Sequence, residues 1–386
     1  MAILFWLSLF IVFYTYIGYG IVLFVAVKFL AKKRILPSTP YTPSLTVVIA
    51  AYNEENIIRA KIENTLSLDY PADKITYIVV TDGSTDATPA AVAAFPQVKL
   101  MHKEERSGKI AAVHRVMKEV DTDIVVYTDA NTFLNREALR LMMRHYADPE
   151  TGAVSGEKRV QVDARSDATA GEGFYWRYES KLKKWDSELY TVVGAAGELF
   201  SIRTSLYQPV PQNALLDDFM ISMMIVLKGY RIIYEPDAYA MEKSSANVEE
   251  ELKRKIRIAS GGIQSMVWLK QLLNPFPRPL LSFQYISHRV LRWTAAPLLM
   301  LLAFVLNILM VADDAGWLYR LLLVMQIAFY ASAVMGWLFE KKSIRVKILF
   351  IPYYFCVMNY AVLAGMLRYL RQKPQTGVWE KAKRKE

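Results

Sequence analysis

The sequence has almost no cysteine. Of its 386 residues only Cys356 is a cysteine, and it lies in an apolar segment. A disulfide framework and a Cys-ligated metal site are therefore excluded. The middle of the chain must fold by burial of apolar side chains alone, in a compartment that keeps thiols reduced.

Nucleic-acid binding motifs are also absent, although the net charge is +10 and the pI is near 9.3. The chain has no zinc signature, basic zipper or aromatic RNA-binding motif, so no nucleic-acid partner is expected. Basic residues gather at the flanks of apolar segments and in the stretch ELKRKIRIASGGIQSMVWLKQLL. We expect residues 246–292 to form amphipathic helices on anionic lipid. Their apolar positions recur at helical spacing: Leu252, Ile256, Ala259, Ile263 and Val267.

Two common phosphate-binding fingerprints are missing as well. A dinucleotide fold needs G-x-G-x-x-G after its first strand, but that position reads AAYNEEN, with no glycine. A P-loop needs a hydroxyl residue after its Gly-Lys pair, whereas the stretch EERSGKIA has Ile110 there. A ligand of this sheet must be held in another way.

Charge is nearly absent from residues 3–30, a stretch longer than the roughly 20 residues that cross a bilayer. The segment has no basic start, and Lys32, Lys33 and Arg34 follow it, so it is predicted to be a retained anchor (residues 1–31) and not a signal peptide. The positive-inside rule then places the amino terminus outside and the following domain in the cytoplasm. An integral protein of the inner or plasma membrane is expected.

Three further apolar stretches lie within residues 293–370, at 293–312, 317–339 and 348–367. Each is near the spanning length, and the alternative is a set of buried helices in a soluble core. Acidic residues lie between the first two stretches, and basic residues lie between the second and third. This pattern fits a first loop outside the membrane and a second loop in the cytoplasm. Three crossings would leave the basic tail, 371–386, outside. Either one stretch is re-entrant, with the Pro352 segment the weakest, or the tail is an exception placed in the cytoplasm or at the interface.

Between the apolar ends, residues 41–245 alternate strand and helix signals. The runs LTVVIAA, TYIVVTD, VKLMH and DIVVYTD are strands without polar alternation, and helical periodicity follows most of them. This pattern predicts an α/β domain with a Rossmann-like, mostly parallel sheet covered on both faces.

Polar side chains follow the predicted strands where each one ends. In open α/β sheets ligands bind in the crevice beyond the carboxyl ends of the strands, so we expect these side chains to converge there. Acidic residues at such an edge indicate a cation, and a cation indicates a diphosphate whose charge must be neutralised. An ordinary turn at TDGSTD and a helix cap at Asn53 are the alternatives. The residues are Asn53, Glu54, Asp82, Asp129 and Asn131.

Three more charged residues stand at predicted helix starts. Lys109 is unfavourable for the helix dipole, so either a phosphate relieves the conflict or the lysine is simply solvated. Asp217 and Asp218 either cap the helix that follows or serve a ligand, since one cap does not need two aspartates.

At this point the chain resembles the membrane-anchored inverting glycosyltransferases of family 2, which include hyaluronan, cellulose and poly-N-acetylglucosamine synthases. Eight motifs follow the order found in that family: VVIAAYNEENII, VVTDGSTDAT, RSGKIAAV, YTDANTF, GAAGELFSIRTSLY, LLDDFMIS, RKIRIASGG and VWEKAKR. The resemblance implies a GT-A fold, a nucleotide-diphosphate sugar as donor, most often a UDP-sugar, and Mg²⁺ or Mn²⁺.

The resemblance also implies roles for individual residues. It places Asn53, Glu54 and Asp82 in the nucleobase and ribose pocket, and Lys109 near the diphosphate. Asp129 is the first carboxylate of the family's D-x-D, a donor and metal residue. Asp218 matches the catalytic base, with Asp217 beside it. Four positions match acceptor-binding residues: Gly194, Ala195, Ala196 and Gly197. The polar positions of Q-x-x-R-W, which are taken as donor-binding, correspond to Arg254 and Arg257.

Two positions depart from the family pattern. D-x-D reads Asp129-Ala130-Asn131, so the second metal residue is a neutral amide, which either coordinates the ion or orients another ligand. Q-x-x-R-W ends in Ile258 and not in tryptophan, which removes the stacking platform of processive relatives.

These observations predict a sugar transferase that extends a polysaccharide or oligosaccharide. Membrane lipids and polysaccharide-export proteins are expected as further partners. A second interpretation makes the acceptor a lipid-linked molecule, such as a polyprenyl phosphate or a glycolipid. A third is a non-catalytic membrane scaffold or sugar-nucleotide sensor.

Overall fold

The computed structural model describes residues 1–31, 40–161, 169–243, 248–342 and 346–371. Strands are β1 (Leu45–Ala51), β2 (Ile75–Asp82), β3 (Val98–Lys103), β4 (Ile124–Asp129), β5 (Thr132–Leu134), β6 (Thr151–Gln161), β7 (Leu199–Arg203) and β8 (Arg231–Lys243). Helices are α1 (Ala2–Phe13), α2 (Tyr19–Leu30), α3 (Ile58–Leu66), α4 (Thr88–Ala93), α5 (Lys109–Met117), α6 (Ala138–Met143), α7 (Thr169–Leu189), α8 (Asp217–Leu227), α9 (Val248–Trp268), α10 (Pro279–Tyr285), α11 (Leu291–Trp293), α12 (Ala295–Ala312), α13 (Trp317–Lys341) and α14 (Lys347–Arg371).

The described residues form two compact units. One contains those of 1–29, 162–182 and 247–372, which are helical. The other contains those of 30–161 and 183–246, with all the described strands. The basic cluster at residues 32–34, Arg345 and the tail from residue 372 lie outside the described residues.

The sheet of the second unit has the strand order β3-β2-β1-β4-β7-β6-β8-β5. Neighbours among β3, β2, β1 and β4 are parallel, as the sequence predicts. Their apolar runs are buried because helices cover both faces of such a sheet, and β1 is buried along nearly its whole length. The mostly parallel sheet and the strands themselves are therefore confirmed.

Strand β7 runs against its two neighbours, which the sequence pattern did not predict. Thr128 of β4 lies opposite Leu199, the first residue of β7. Because the strands are antiparallel, the segment that enters β7 arrives at the edge where β4 ends. Residues 194–198 are thus brought beside Asp129.

Four helices in the described residues are long and apolar enough to cross a membrane: Ala2–Leu30, Ala295–Ala312, Trp317–Lys341 and Ile348–Arg371. Each coincides with an apolar stretch identified in the sequence. The first includes a π-helical segment, Tyr14–Gly18, between α1 and α2. The last continues through Pro352 as one helix.

Helix α9 packs against α14. Gly365 of α14 approaches so closely that a Cβ built on it would lie 2.6 Å from the Cβ of Ala259. Part of the apolar stripe expected to face lipid therefore faces protein, whereas Val267 remains 52% exposed. A position at the membrane surface stays a prediction.

Candidate active site

Strand β4 ends at Asp129, and the turn that carries Asn131 follows it. The strand is buried up to Thr128, whereas Asp129 and Asn131 are partly exposed. Lys109 Nζ donates a hydrogen bond to Asp129 Oδ1 over 2.9 Å. The buried strand thus ends in an ion pair at the carboxyl edge of the sheet.

Lys109 begins α5, and Asp82 shapes the loop before it. Gly108 has φ +98°, a backbone conformation that favours glycine. Asp82 Oδ2 accepts hydrogen bonds from the backbone N–H groups of Ser107 (2.7 Å) and Gly108 (2.6 Å). Asp82 therefore fixes the loop that leads to Lys109, and the donor-binding role that the resemblance implies for it stays a prediction.

Helix α8 brings the acidic pair to the same edge. Asp217 Oδ2 lies 3.7 Å from Lys109 Nζ. Asp218 lies beside Gly197, since a Cβ built on Gly197 would be 2.8 Å from Asp218 Oδ2. Both aspartates are in the first turn of α8, where carboxylates suit the helix dipole.

The pKa values follow from this clustering of charges. Burial, and then Asp217, raise the pKa of the Asp218 carboxyl to about 7, against the lowering effect of Lys109. Burial alone would lower the pKa of Lys109, but Asp129 and then Asp217 outweigh it and raise that pKa above its usual range. Lys109 therefore stays charged, and Asp218 is poised to exchange a proton near neutral pH.

One small cavity unites several of these side chains. Its polar lining comes from Lys109, Thr128, Asp129 and Asp217, and Gly197 opens onto it. Apolar side chains of β1, β4, β7, α5 and α8 complete the wall: Val48, Ala50, Val113, Tyr127, Phe200 and Ile221. Residues far apart in the sequence therefore share one cavity.

The loop that the resemblance assigned to the acceptor is tightly fixed. Gly194 has φ +89°, and a Cβ there would lie 2.2 Å from the Phe219 ring. The N–H of Ala195 donates to Ser222 Oγ (3.0 Å), and the N–H of Ala196 donates to Ser155 Oγ (3.1 Å). The loop is thus held against α8, which also carries Asp218.

Asn53 and Glu54 follow β1 and join the loop after β2. Asn53 has φ +52°, so it is not the helix cap that the sequence indicated, and α3 begins only at Ile58. Asn53 Oδ1 accepts from the N–H of Thr85 (2.9 Å), and the N–H of Glu54 donates to Thr88 Oγ1 (2.8 Å). These contacts fix the TDGSTD turn beside the first strand.

Arg254 and Arg257 lie on α9, in the helical unit. The other predicted site residues belong to the unit that holds the sheet. A shared role for the two sets of residues stays a prediction.

The side-chain oxygen atoms of Asp129 and Asn131, at the end of β4, suit the coordination of a hard divalent cation. Carboxylate and amide oxygens are the ligands that Mg²⁺ and Mn²⁺ prefer. Among the described residues, no group of three or more His, Cys, Asp and Glu side chains could hold an ion. Sites with one or two protein carboxylates take their other oxygens from a substrate diphosphate and water, and the Asp129 turn suits that kind of site.

Sequence reasoning missed two charged residues at this edge. Lys61 of α3 is wholly buried and donates to Thr128 Oγ1 (2.9 Å). Burial lowers its pKa to about 7, against the raising effect of Asp129. Glu198 pairs with buried Lys158 over 2.6 Å. Lys61 could have been noticed in the sequence, because it lies at helical spacing from Ile58 and next to Ile62, on the apolar face of the predicted helix.

Comparisons with known proteins agree with this architecture. The Glycosyl transferase family 2 model matches residues 46–210. A beta-monoglucosyldiacylglycerol synthase of Synechocystis sp. is 32% identical over 168 residues, which cover 42% of this chain and 34% of that protein. A poly-beta-1,6-N-acetyl-D-glucosamine synthase of Staphylococcus aureus is 25% identical over 256 residues, covering 63% of this chain and 61% of that protein.

The chain thus spans about a third to three fifths of the length of these two curated relatives. A solved mannosyltransferase of Pyrobaculum calidifontis, in complex with GDP-Man and Mn²⁺, superposes with a TM-score of 0.70 at 24% identity. The match covers 95% of this chain and 99% of that one, so the two share a fold. Residues 46–210 thus match the Glycosyl transferase family 2 model, and the structural likeness shows that the fold is that of GT-A glycosyltransferases.

Proposed function

We propose that the chain is a membrane-bound inverting glycosyltransferase. It moves a sugar from a nucleotide-diphosphate sugar, with UDP-sugars the first class to test, to a hydroxyl of a growing polysaccharide or oligosaccharide. The observation that carries the proposal is the meeting of Lys109, Asp129 and Asp217 in one cavity, with Asp218 next to it at Gly197.

Asp218 acts as the general base. It accepts the proton of the acceptor hydroxyl while that oxygen attacks the anomeric carbon from the face opposite the departing nucleotide, which inverts the configuration. The raised pKa of Asp218 supports this role because a base works best when its pKa is near the operating pH. Residues 194–197 then position the acceptor.

Lys109 offsets the negative charge that develops on the leaving diphosphate. Its place between Asp129 and Asp217 keeps the ammonium charged and aimed at the cavity. A bound Mg²⁺ or Mn²⁺ would add Lewis-acid stabilisation of the same diphosphate, with Asp129 and Asn131 as its protein ligands.

The other predicted residues complete the donor site. Asn53 and Glu54 hold the loops around the nucleoside, and Asp82 contributes there while it fixes the Lys109 loop. Arg254 and Arg257 of α9 supply further positive charge to the donor.

We also propose the arrangement in the membrane. Residues 1–31 anchor the chain, 41–245 form the catalytic domain in the cytoplasm, and 246–292 lie at the lipid surface. Residues 293–370 cross the inner or plasma membrane, and 371–386 form a basic tail in the cytoplasm or at the interface. Membrane lipids and export proteins are the expected partners.

The test is an assay of membranes that carry the protein, incubated with labelled UDP- and GDP-sugars and with Mg²⁺ or Mn²⁺. One sugar should enter a larger product, and a chelator should reduce the transfer. Absence of transfer from every donor, with the protein folded and acceptor lipid and saccharide present, would contradict the proposal.

The variant Asp218→Asn identifies the base. We expect its turnover to fall by about 10²–10⁴-fold, because a positioned general base contributes that much, while nucleotide binding is retained. Asp73→Asn, at an exposed aspartate outside the cavity, is the matched control. Normal turnover of Asp218→Asn would rule out this assignment.

A lipid acceptor is the second candidate. It is favoured by the glycolipid synthase from Synechocystis sp., which has the higher identity of the two curated relatives described above. Extraction with organic solvent separates the alternatives, since a glycolipid product enters the solvent phase and a polysaccharide remains in water.

A further inference from the structure

Lys61 is a charged residue at a core position. It lies on the buried face of α3, together with Ile58, Ile62 and Thr65. Its Nζ donates to Thr128 Oγ1 over 2.9 Å and to the carbonyl oxygen of Thr132 over 2.6 Å. No solvent reaches the side chain, so these protein oxygens replace water around the ammonium group.

Both partners of Lys61 flank the turn Asp129-Ala130-Asn131. Thr128 precedes the turn and Thr132 follows it, so one ammonium group holds both ends. Thr132 Oγ1 also donates to the carbonyl oxygen of Asp129 over 3.0 Å. The backbone of the turn is therefore fixed from its buried side.

The same contacts reach the loop before β7. Thr128 Oγ1 accepts from Lys61 and donates to the carbonyl oxygen of Glu198 over 3.0 Å. Glu198 directly follows Gly197, which lies against Asp218. Lys61 is thus linked to the segment that approaches the proposed base as well as to the Asp129 turn.

A purely structural role explains this arrangement poorly. Removing an ammonium group from water is costly, and an apolar side chain of similar length would fill the same space without that cost. Asn64, one turn along α3, already joins the helix to β5 through two hydrogen bonds with Leu134 and carries no charge. A second anchor made from a buried ionisable amine requires another reason.

We infer that Lys61 is a positioning residue of the proposed glycosyl transfer, which holds the Asp129-Ala130-Asn131 turn in the geometry that binds a divalent cation and the donor diphosphate. The inference rests on the proposed function. It applies to this turn in particular because only one of its two metal residues is a carboxylate, so the position of Asp129 matters more when Asn131 adds no charge.

The experiment measures binding of Mn²⁺ to the purified full chain by electron paramagnetic resonance, with UDP and then GDP present. Lys61→Met removes the donors at similar length, and we expect it to weaken Mn²⁺ binding about 10-fold, the lower end for residues that orient metal ligands. The donor KM should rise in parallel. Lys61→Gln keeps a shorter neutral donor and should lie between Lys61→Met and the wild type.

Asn64→Leu is the matched control, because it removes two hydrogen bonds from the same helix without touching the Asp129 turn. It should lower the Tm and leave Mn²⁺ binding and the donor KM unchanged. If Lys61→Met does not fold, Lys61→Gln decides the question, since it is the milder change at the same position.

The results distinguish a failure of the proposed metal role of the Asp129 turn from a failure of the inference about Lys61. Asp129→Asn must weaken Mn²⁺ binding if the turn holds the ion, and unchanged binding in that variant would overturn the proposed metal role itself. If Asp129→Asn weakens binding while folded Lys61→Met, or failing that Lys61→Gln, binds Mn²⁺ like the wild type, the inference about Lys61 is wrong and the proposed function stands.

Discussion

The proton affinity of single residues determines how this site responds to pH. Asp218 accepts a proton only as a carboxylate, and burial followed by Asp217 raises its pKa to about 7. We therefore expect kcat/KM to fall by about tenfold per pH unit below about pH 7 and to level off above it. Initial rates across this range, with folding checked at each pH, provide the measurement. Because the two aspartates interact, the midpoint belongs to the pair.

The stability of the wild type depends on pH in the opposite direction to its activity, and Asp218→Asn removes this dependence. The folded pKa of Asp218 is above its unfolded value, so folding favours the protonated form and the wild type loses stability as pH rises towards 7. A neutral asparagine escapes this loss, so the gain in free energy of unfolding of Asp218→Asn over the wild type should be larger at pH 8 than at pH 5.

The activity of the wild type tests the same pKa. A kcat/KM that is flat down to about pH 5 would contradict the raised pKa.

Gly197 offers a test of how closely Asp218, the proposed base, is held. A methyl group there would lie 2.8 Å from Asp218 Oδ2, so Gly197→Ala should displace the carboxylate. We expect turnover to fall about 10-fold or more, since small misplacements of catalytic groups are costly. A kinetic assay on folded protein measures it.

Gly229→Ala is the control for that substitution. Gly229 has φ +96° and nothing within 4 Å of an added methyl group, so alanine there strains only the backbone. It should cost about 1–2 kcal/mol of stability and leave turnover per folded molecule unchanged. Equal turnover in both variants would show that the Gly197 contact has no catalytic role.

Several site residues were predictable from the sequence because each follows a buried strand or begins a helix. Lys109, Asp129 and Asp217 belong to this group, and the structure brings them together. The contacts of Asp82 were not predictable, because they depend on the loop conformation that Gly108 allows. Lys61 was not predicted because helical periodicity identifies the buried face of a helix, but it does not show that a lysine on that face has hydrogen-bond partners in the core.

At the scale of elements, the parallel strands could be identified from their uninterrupted apolar runs. The reversed direction of β7 could not, since an apolar strand has the same composition in either direction. Direction depends on the chain between strands, and the pairing of β4 with β7 follows from tertiary packing. The sequence therefore predicted the four parallel strands β1 to β4, but neither the other four described strands nor how residues 194–198 reach the site.

The contact between α9 and α14 can be tested with one substitution. A side chain at Gly365 would meet the backbone of α9 at Ser260 N (2.8 Å) and Ile256 O (2.9 Å), which cannot rotate away. We expect Gly365→Val to destabilise the helical unit by about 1–3 kcal/mol, as for other overpacked sites. Thermal unfolding in detergent measures it.

Leu367→Val on the same helix is the control, because Leu367 is 51% exposed. Its effect should stay within about 0.5 kcal/mol. A stable Gly365→Val protein would mean that α9 and α14 do not pack closely in solution.

At the scale of the whole molecule, the proposed arrangement predicts on which side of the membrane each loop lies. The single native cysteine makes this measurable, since Cys356→Ser removes all thiols. In that background we expect Asp314→Cys to react with an impermeant maleimide in intact cells and Lys341→Cys to react only after lysis. The reverse pattern would contradict a cytoplasmic catalytic domain.

The reversed direction of β7 has a consequence for how such an enzyme diversifies. The parallel half of the sheet supplies Lys109 and Asp129, whereas the segment entering β7 comes from a separate stretch of chain. Under the proposed function, insertions or deletions just before Leu199 alter the acceptor side of the site, and the bond from Thr128 Oγ1 to the Glu198 carbonyl oxygen connects that segment to the end of β4. A change in acceptor specificity made in this way would therefore be accompanied by a change around the Asp129 turn.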